Sequence, residues 1–152
     1  MSREMAKFCH MFFDGVREDT FTQSCGMADL ITTCDGGRNR RCAEAFALER
    51  RDSHPLINDD IDEYNSHHFL IDHEKDCEKK WEEIEAGLLN GQKLQGTLTC
   101  KEVYSLLESR NLLNAFPLMK TIYEIAYKGE PIANIVQGIS ITPEPLAGAS
   151  HL

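Results

Sequence analysis

Hydrophobic residues recur at steps of three and four along most of the chain, which is the spacing of helices that bury one face. The first two stripes are Met1, Met5, Phe8 and Phe12, and Met27, Leu30, Ile31 and Cys34. Gly15 follows the first stripe and Gly36-Gly37 ends the second. No stretch alternates between apolar and polar residues as a half-buried strand does, and no segment is repeated. The pattern therefore predicts an all-α fold.

Helical spacing returns in the later part of the chain. The apolar faces there are Cys42, Ala45 and Phe46; Trp81, Ile84 and Leu88; Val103, Leu106 and Leu107; and Leu118, Ile122 and Ile125. Asn90-Gly91 and Lys128-Gly129 predict helix ends, and Pro117 suits a first helical turn. Pro131 predicts a last short helix that ends near Val136.

Two sequence patterns predict where helices begin. Thr20 with Gln23, and Thr99 with Glu102, have the spacing of a capping box. In that motif the hydroxyl and the longer side chain satisfy backbone N–H groups that have no partner in the first helical turn.

The segment from Leu48 to Lys80 differs in character, with ten acidic and five basic side chains and four of the six histidines. This composition predicts a solvated loop or weakly ordered insert. We therefore expect a helical domain over 1–137 that is interrupted by an acidic insert at about 48–80. The remaining segment, 138–152, is rich in proline and small residues and is predicted to be a frayed tail.

Composition narrows the class of protein. The chain of 152 residues suits one domain, and a net charge of −9 argues against nucleic acid as a partner. No apolar run reaches the ~18 residues that a membrane helix needs, and the first residues lack a secretory signal. We expect a cytoplasmic protein that is not bound to a membrane. The six cysteines form no C-x-x-C pair and suit reduced, buried thiols.

The histidines of the acidic segment raise the question of a metal. His67, His68, His73 and Cys77 are possible ligands, but their spacing matches no tight zinc pattern. The run 58–62 lacks the glycine and the closing glutamate of a calcium loop. We predict no metal site.

The run Gly36-Gly37-Arg38-Asn39-Arg40-Arg41 carries the clearest chemical signal. Two glycines let the backbone approach a ligand closely, and the helix start that follows presents free N–H groups. Arg38 could bind phosphate through two parallel hydrogen bonds, and Asn39 could add an amide donor. The alternative is a glycine helix stop followed by solvated arginines, and spacing alone does not choose between them.

Two further groups of polar residues admit both a functional and a purely structural interpretation. Asp29 and Thr33 lie one helical turn apart on the polar side of their helix, facing either a ligand or solvent. The segment Gln92-Lys93-Leu94-Gln95-Gly96 follows a helix stop. Its long polar side chains could contact a ligand or could belong to an ordinary connector.

Taken together, these segments resemble the eukaryotic NAD-dependent glycerol-3-phosphate dehydrogenase family. The likeness is carried by the runs 24–34 and 36–40, by Leu88-Leu89-Asn90-Gly91-Gln92-Lys93-Leu94-Gln95-Gly96, by Phe116-Pro117-Leu118 and by Tyr123-Glu124. It covers 4–47 and 81 to about 137. The resemblance implies the helical C-terminal, substrate-binding domain of that family, which is similar to the domain in 6-phosphogluconate dehydrogenase-like enzymes.

The resemblance also implies an activity and residue roles. The activity is reversible hydride transfer between NADH and dihydroxyacetone phosphate, giving sn-glycerol 3-phosphate, in carbohydrate and glycerophospholipid metabolism. Arg38 and Asn39 would hold the substrate phosphate, and Arg38, Lys93 and Gln95 would contact NAD. Asp29 and Thr33 would support a catalytic lysine, and the intact enzyme would be a homodimer.

Three departures from the family's pattern qualify these expectations. No G-x-G-x-x-G follows a strand, so we expect the dinucleotide-binding Rossmann half to be missing. The family's catalytic lysine is expected upstream of Met1, and segment 48–80 is expected to be longer than the family's link. We therefore expect an enzyme fragment that is inactive alone. The alternative is a non-catalytic helical module that binds phosphate or dimerises through an exposed apolar surface.

Overall fold

The computed structural model of the chain describes residues 2–53 and 73–139, and these residues contain helices and no strands. The helices of the first range are α1 (Ser2–Phe12), α2 (Asp29–Gly36) and α3 (Arg38–Ser53). Those of the second range are α4 (His73–Leu88), α5 (Gln95–Ser109), α6 (Pro117–Tyr127) and α7 (Ile135–Gly138). Short 3-10 turns lie at Glu18–Phe21, Leu113–Ala115 and Ile132–Asn134, and a π-helical turn lies at Ser24–Ala28. The predicted all-α fold is confirmed.

Helix α6 lies at the centre of the fold and packs against α4, α5 and α7, while α3 packs against α2 and α4. The ring of Phe46 on α3 stacks on Trp81 of α4, with centroids 4.1 Å apart. The Trp81 indole then donates a hydrogen bond of 3.0 Å to the Ala126 carbonyl on α6. A stacked aromatic pair contributes about 0.5–1.5 kcal/mol beyond its buried area. One aromatic pair thus joins three helices.

A second aromatic group fills the space between α5 and α6. Tyr104, Tyr123 and Tyr127 are all buried, and the rings of Tyr104 and Tyr123 stack at 3.8 Å. The sequence pattern predicts Leu118, Ile122 and Ile125 as the apolar face of α6 and omits its tyrosines, which lie on another side of the helix. A tyrosine can be buried when its hydroxyl finds a partner, which Tyr127 does by donating to the Thr97 carbonyl at 3.0 Å.

Helix α1 packs against the start of α6. Glu4 accepts hydrogen bonds from the backbone N–H groups of Leu118 at 2.9 Å and Met119 at 3.0 Å. Phe8 meets the fully buried Phe116 edge to face, with centroids 6.1 Å apart. The first-turn N–H groups of α6 thus gain an acidic partner from a helix that is distant in sequence. The helix dipole also favours a negative charge at this end of α6.

Both predicted capping boxes are wrong. Gln23 precedes the π-helical turn, and its side chain donates to Asp19 rather than capping a helix. Helix α5 begins at Gln95, well before Thr99, and the N–H of its cap residue, Leu94, donates to Glu85 of α4. In both places, a contact from outside the motif replaces the reciprocal pair that the spacing predicts.

Other predicted boundaries are confirmed. Asn90 and Gly91 have φ angles of 47° and 83°, and Gly129 has a φ of 78°, as a left-handed helix end requires. Pro117 opens α6. The predicted insert is wrong at both edges, because residues 48–53 continue α3 and residues 73–80 belong to α4. The centre of the insert, 54–72, and residues 140–152 of the predicted frayed tail 138–152 lie outside the described residues, so those predictions stay untested.

The predicted apolar stripe of α2 is not buried. Met27, Ile31 and Cys34 are exposed, because α2 packs chiefly against the preceding π-helical turn and α3. Cys25 is exposed as well, so the prediction of buried thiols holds for Cys42 and Cys77 but is wrong for Cys25 and Cys34. Leu88 is exposed too, because α4 ends there and its neighbour Leu89 turns into the core. Every helix within 2–53 and 73–139 is too short or too polar to cross a bilayer.

Candidate functional site

The junction between α2 and α3 forms one wall of the candidate site. Gly37 has an extended backbone, donates its N–H to the Thr33 carbonyl at 2.9 Å, and accepts the Arg41 N–H at 3.1 Å. A Cβ atom at this position would lie 2.5 Å from the Thr33 carbonyl oxygen. Only glycine therefore lets α2 end so close to the start of α3, where Arg38 and Asn39 emerge.

The loop between α4 and α5 forms the opposite wall. The left-handed residues Asn90 and Gly91 turn the chain back, and the Gln92 N–H closes the turn on the Leu89 carbonyl at 2.9 Å. Helix α5 then begins at Gln95. A Cβ atom on Gly96 would lie 2.6 Å from the amide oxygen of Asn39, so the glycine gives the Asn39 side chain its place between the walls.

The two walls enclose a pocket of about 250 Å³. It is lined by Thr33, Gly37, Arg38, Asn39, Lys93, Leu94 and Gln95. Five of the six residues predicted for the site therefore line one pocket, although the chain separates them by up to 62 positions. Asp29, the sixth, lies outside the lining, on an exposed position of α2 one turn before Thr33. The structure does not test the roles predicted for these residues.

The pocket carries two cations with different partners. The Arg38 guanidinium donates to the side-chain oxygen of Gln92 at 3.0 Å. The Lys93 ammonium lies 2.8 Å from Glu85, which raises the pKa of Lys93 and lowers that of Glu85 through their mutual hydrogen bond. Arg38 also stands in the first turn of α3, where the helix dipole favours anions. This arrangement suits a small oxyanion better than an apolar ligand.

Two contacts at the site, those made by Gln92 and Glu85, have no counterpart in the sequence-based prediction. Gln92 belongs to the polar loop recognised from the sequence, but its contact with Arg38 spans 54 positions and has no local signature. Glu85 lies in the last turn of α4, where an acidic residue is ordinarily solvated, and no spacing rule shows that it faces Lys93.

A second pocket, of about 290 Å³, lies beside α6. Its charged groups already have partners within the pocket lining. Lys120 lies 3.8 Å from Glu124, and the Asn134 amide donates to Glu130 at 3.0 Å. It therefore offers less to an anion than the α2–α3 pocket. Of the side chains considered for a metal, His67 and His68 lie outside the described residues, and the described ranges hold no group of three or more potential ligands.

Comparison with known proteins gives the same family from sequence and from structure. The sequence model described as the C-terminus of NAD-dependent glycerol-3-phosphate dehydrogenase matches residues 1–63 and 68–137. Over 93% of this chain, the human cytoplasmic NAD(+) glycerol-3-phosphate dehydrogenase and the Xenopus tropicalis glycerol-3-phosphate dehydrogenase 1-like protein are each 39% identical. The match covers 33% and 32% of those two proteins.

Solved structures of glycerol-3-phosphate dehydrogenases resemble this chain as well. DsGPDH of Dunaliella salina superposes with a TM-score of 0.70 at 38% identity, over 90% of this chain and 22% of its own. The Plasmodium falciparum glycerol-3-phosphate dehydrogenase gives 0.68 at 28% identity, over 95% and 33%. The fold and the pocket thus define the helical C-terminal domain of a dehydrogenase. The chain belongs to the NAD-dependent glycerol-3-phosphate dehydrogenase family, whose members are oxidoreductases, and corresponds to their C-terminal part.

The likeness to the family covers more of the chain than the sequence motifs indicate, because the matched ranges include 48–63 and 68–80. That segment 48–80 is longer than the family's link stays a prediction. The chain spans about a third of the length of the human and Xenopus tropicalis relatives.

Proposed function

We propose that the α2–α3 pocket binds the phosphate group of dihydroxyacetone phosphate or sn-glycerol 3-phosphate. The observation that supports this most directly is the convergence of Thr33, Arg38, Asn39, Lys93 and Gln95 on one small pocket. Arg38 supplies a planar pair of donors, Asn39 an amide donor, and the α3 terminus a favourable dipole. A dianionic phosphate satisfies all three, whereas a neutral ligand would leave the guanidinium without a charged partner.

The same pocket fits part of a nicotinamide dinucleotide. Two cations, Arg38 and Lys93, together with the amide of Gln95, match the negative charge and the polar edges of such a cofactor. We assign Arg38, Lys93 and Gln95 to contacts with NAD, which supplies the hydride-transfer chemistry when bound. Asp29 and Thr33 lie one turn apart on α2, next to the phosphate site, and are assigned to orienting a catalytic lysine.

In this proposal the chain is the substrate-binding part of a cytoplasmic enzyme that is a homodimer when intact. We expect this 152-residue polypeptide to catalyse no NADH oxidation with dihydroxyacetone phosphate. Positioning a phosphate does not by itself align a hydride donor with the carbonyl. The test is a spectrophotometric assay of NADH oxidation by the purified chain, alone and with the N-terminal part of a relative added. Turnover by the chain alone would overturn the expected inactivity.

The phosphate site itself is tested by Arg38→Ala. Loss of charge-assisted hydrogen bonds, each contributing about 1.5–3 kcal/mol, should weaken binding of inorganic phosphate at least about tenfold. Arg41→Ala is the matched control, because Arg41 is an exposed residue of the same helix outside the pocket lining. Calorimetric titration at low salt measures both variants. Equal loss in the two would show a general charge effect and not a site at Arg38.

A specific observation favours a second function, association through an apolar surface. Phe13 and Ile31 are 61% and 62% exposed, and Met11 and Met27 are also exposed. Exposed apolar side chains mark an interface when they form one patch, and the second function requires that these four do so. Ile31→Asp should then reduce self-association or the rescue of activity by an N-terminal part, as measured by sedimentation and by the NADH assay, without changing phosphate binding.

A further inference from the structure

Glu85 contacts the pocket loop through both of its carboxylate oxygens. Oε1 lies 2.8 Å from the Lys93 ammonium, and Oε2 accepts the Leu94 N–H at 2.8 Å. The first contact pairs Glu85 with a side chain that lines the pocket, and the second holds the backbone directly beside that side chain. Glu85 itself lies on α4 and is absent from the pocket lining.

The contact with Leu94 also determines where α5 begins. Leu94 is the N-terminal cap residue of α5, has an extended backbone, and caps the helix with no side chain of its own. Its buried side chain anchors the loop to the core, while Glu85 supplies an acceptor and a negative charge at the positive end of the helix. One carboxylate thus holds the loop that carries Gln92 and Lys93.

The contact with Lys93 is asymmetric. The Lys93 side chain is 79% exposed, whereas that of Glu85 is 20% exposed. Glu85 is therefore the fixed member of the pair, and Lys93 is the member that can move. While Lys93 pairs with Glu85, part of its charge is compensated before any anion enters the pocket.

We propose that Glu85 is a positioning residue of the phosphate pocket, which holds the 92–95 loop in place and competes with the bound anion for Lys93. This inference rests on the proposed phosphate-binding function of the pocket. It implies that Glu85 acts on affinity in two opposite ways: the hydrogen bond to Leu94 favours binding by ordering the loop, and the charge on Glu85 disfavours binding by holding Lys93.

Two substitutions separate these effects. Glu85→Gln keeps an oxygen that accepts the Leu94 N–H but removes the charge, so phosphate should bind about two- to fivefold more tightly, the range set by an exposed ion pair. Glu85→Ala removes both contacts, so the loop should lose its order and phosphate should bind more weakly than in the wild type. A purely structural role would predict no gain in affinity for either variant.

The experiment measures the Kd of inorganic phosphate for the full 152-residue chain by calorimetry at low salt. Glu83→Gln is the matched control, because Glu83 lies on the same helix, pairs with Lys79 and is 61% exposed. It should change the Kd much less than Glu85→Gln does. In a Lys93→Met background, Glu85→Gln should give no gain, since the released cation is then absent.

The outcomes distinguish this inference from the proposed function. If Arg38→Ala weakens binding but Glu85→Gln gives no gain over Glu83→Gln, the role of Glu85 is overturned and the phosphate site stands. If the wild-type chain binds no phosphate, the proposed site fails, and ligand-free NMR decides about Glu85. In that case, an unchanged chemical shift of the Leu94 amide in Glu85→Ala overturns the positioning role. A shift toward the value of a disordered chain supports it.

Discussion

Single side chains with several partners fix the relative positions of the helices. Arg50 of α3 is the clearest case, because its guanidinium donates to the carbonyls of Ile125, Gly129 and Glu130 at 2.9, 2.5 and 3.0 Å. These carbonyls lie at the end of α6 and just beyond it, where the backbone lacks helical partners. One planar cation therefore closes the end of the central helix.

We expect Arg50→Ala to lower the free energy of unfolding by about 2–3 kcal/mol, because it leaves part-buried carbonyls without donors. Arg50→Lys should recover only part of this loss, since an ammonium cannot reach three carbonyls in a fork. Urea denaturation measures both variants. Arg40→Ala serves as the control: Arg40 makes an exposed pair with Glu44 at 3.6 Å, and its removal should cost well under 1 kcal/mol. Equal losses for Arg50 and Arg40 would contradict the assignment.

The two glycines of the pocket walls, Gly37 and Gly96, have different neighbours. The Cβ added by Gly37→Ala would meet the Thr33 carbonyl, which is backbone, at 2.5 Å. The Cβ added by Gly96→Ala would meet the side-chain oxygen of Asn39 at 2.6 Å, and that side chain can rotate away. The first substitution must therefore shift the α2–α3 junction, whereas the second displaces one ligand-facing group.

We expect Gly37→Ala to lower both the melting temperature and the affinity for phosphate. Gly96→Ala should lower the affinity with little change in melting temperature. Gly87→Ala is the control, because nothing lies within 4 Å of its added Cβ, and alanine in a helix should stabilise the chain by roughly 0.5–1 kcal/mol. Calorimetric scanning with phosphate titration gives both quantities. Normal phosphate binding by Gly96→Ala would argue against a role for Asn39.

The helices and their ends could be predicted from the sequence, whereas the contacts between distant segments could not. Apolar spacing and the glycine helix ends predict the helices because they report local geometry, as at Asn90-Gly91. The gathering of Arg38 and Lys93 in one pocket could be expected only from the family likeness, since no local rule relates residues so far apart. Glu85 and Glu4 were missed for the same reason: each caps a helix that lies elsewhere in the sequence.

For the whole molecule, the buried thiols and phenols determine the response to alkaline pH. Burial raises the pKa of Cys100 from 9.0 to about 11, and it also raises the pKa of Cys42, Cys77 and Tyr127. A group whose pKa is raised by folding contributes its full stability below its unfolded pKa. That contribution is lost as the pH rises toward the folded value.

We therefore expect the free energy of unfolding to be steady up to about pH 9 and to fall between pH 9 and 11. Cys100→Ala should reduce the slope in this window, because it removes one group whose proton is held by folding. Cys34→Ala is the control, since Cys34 is exposed. Chemical denaturation at a series of pH values provides the measurement, and a Cys100→Ala slope equal to that of the wild type would contradict the prediction.

The contact between Glu4 and the start of α6 also bears on the order in which the chain folds. It joins positions separated by 114 residues, so forming it closes a long loop at a cost in chain entropy. We infer that the first helix docks late, onto an already assembled bundle. Native-state hydrogen exchange tests this inference: the Leu118 and Met119 amides should open more readily than the middle of α6, and equal protection throughout α6 would show that the first helix joins early.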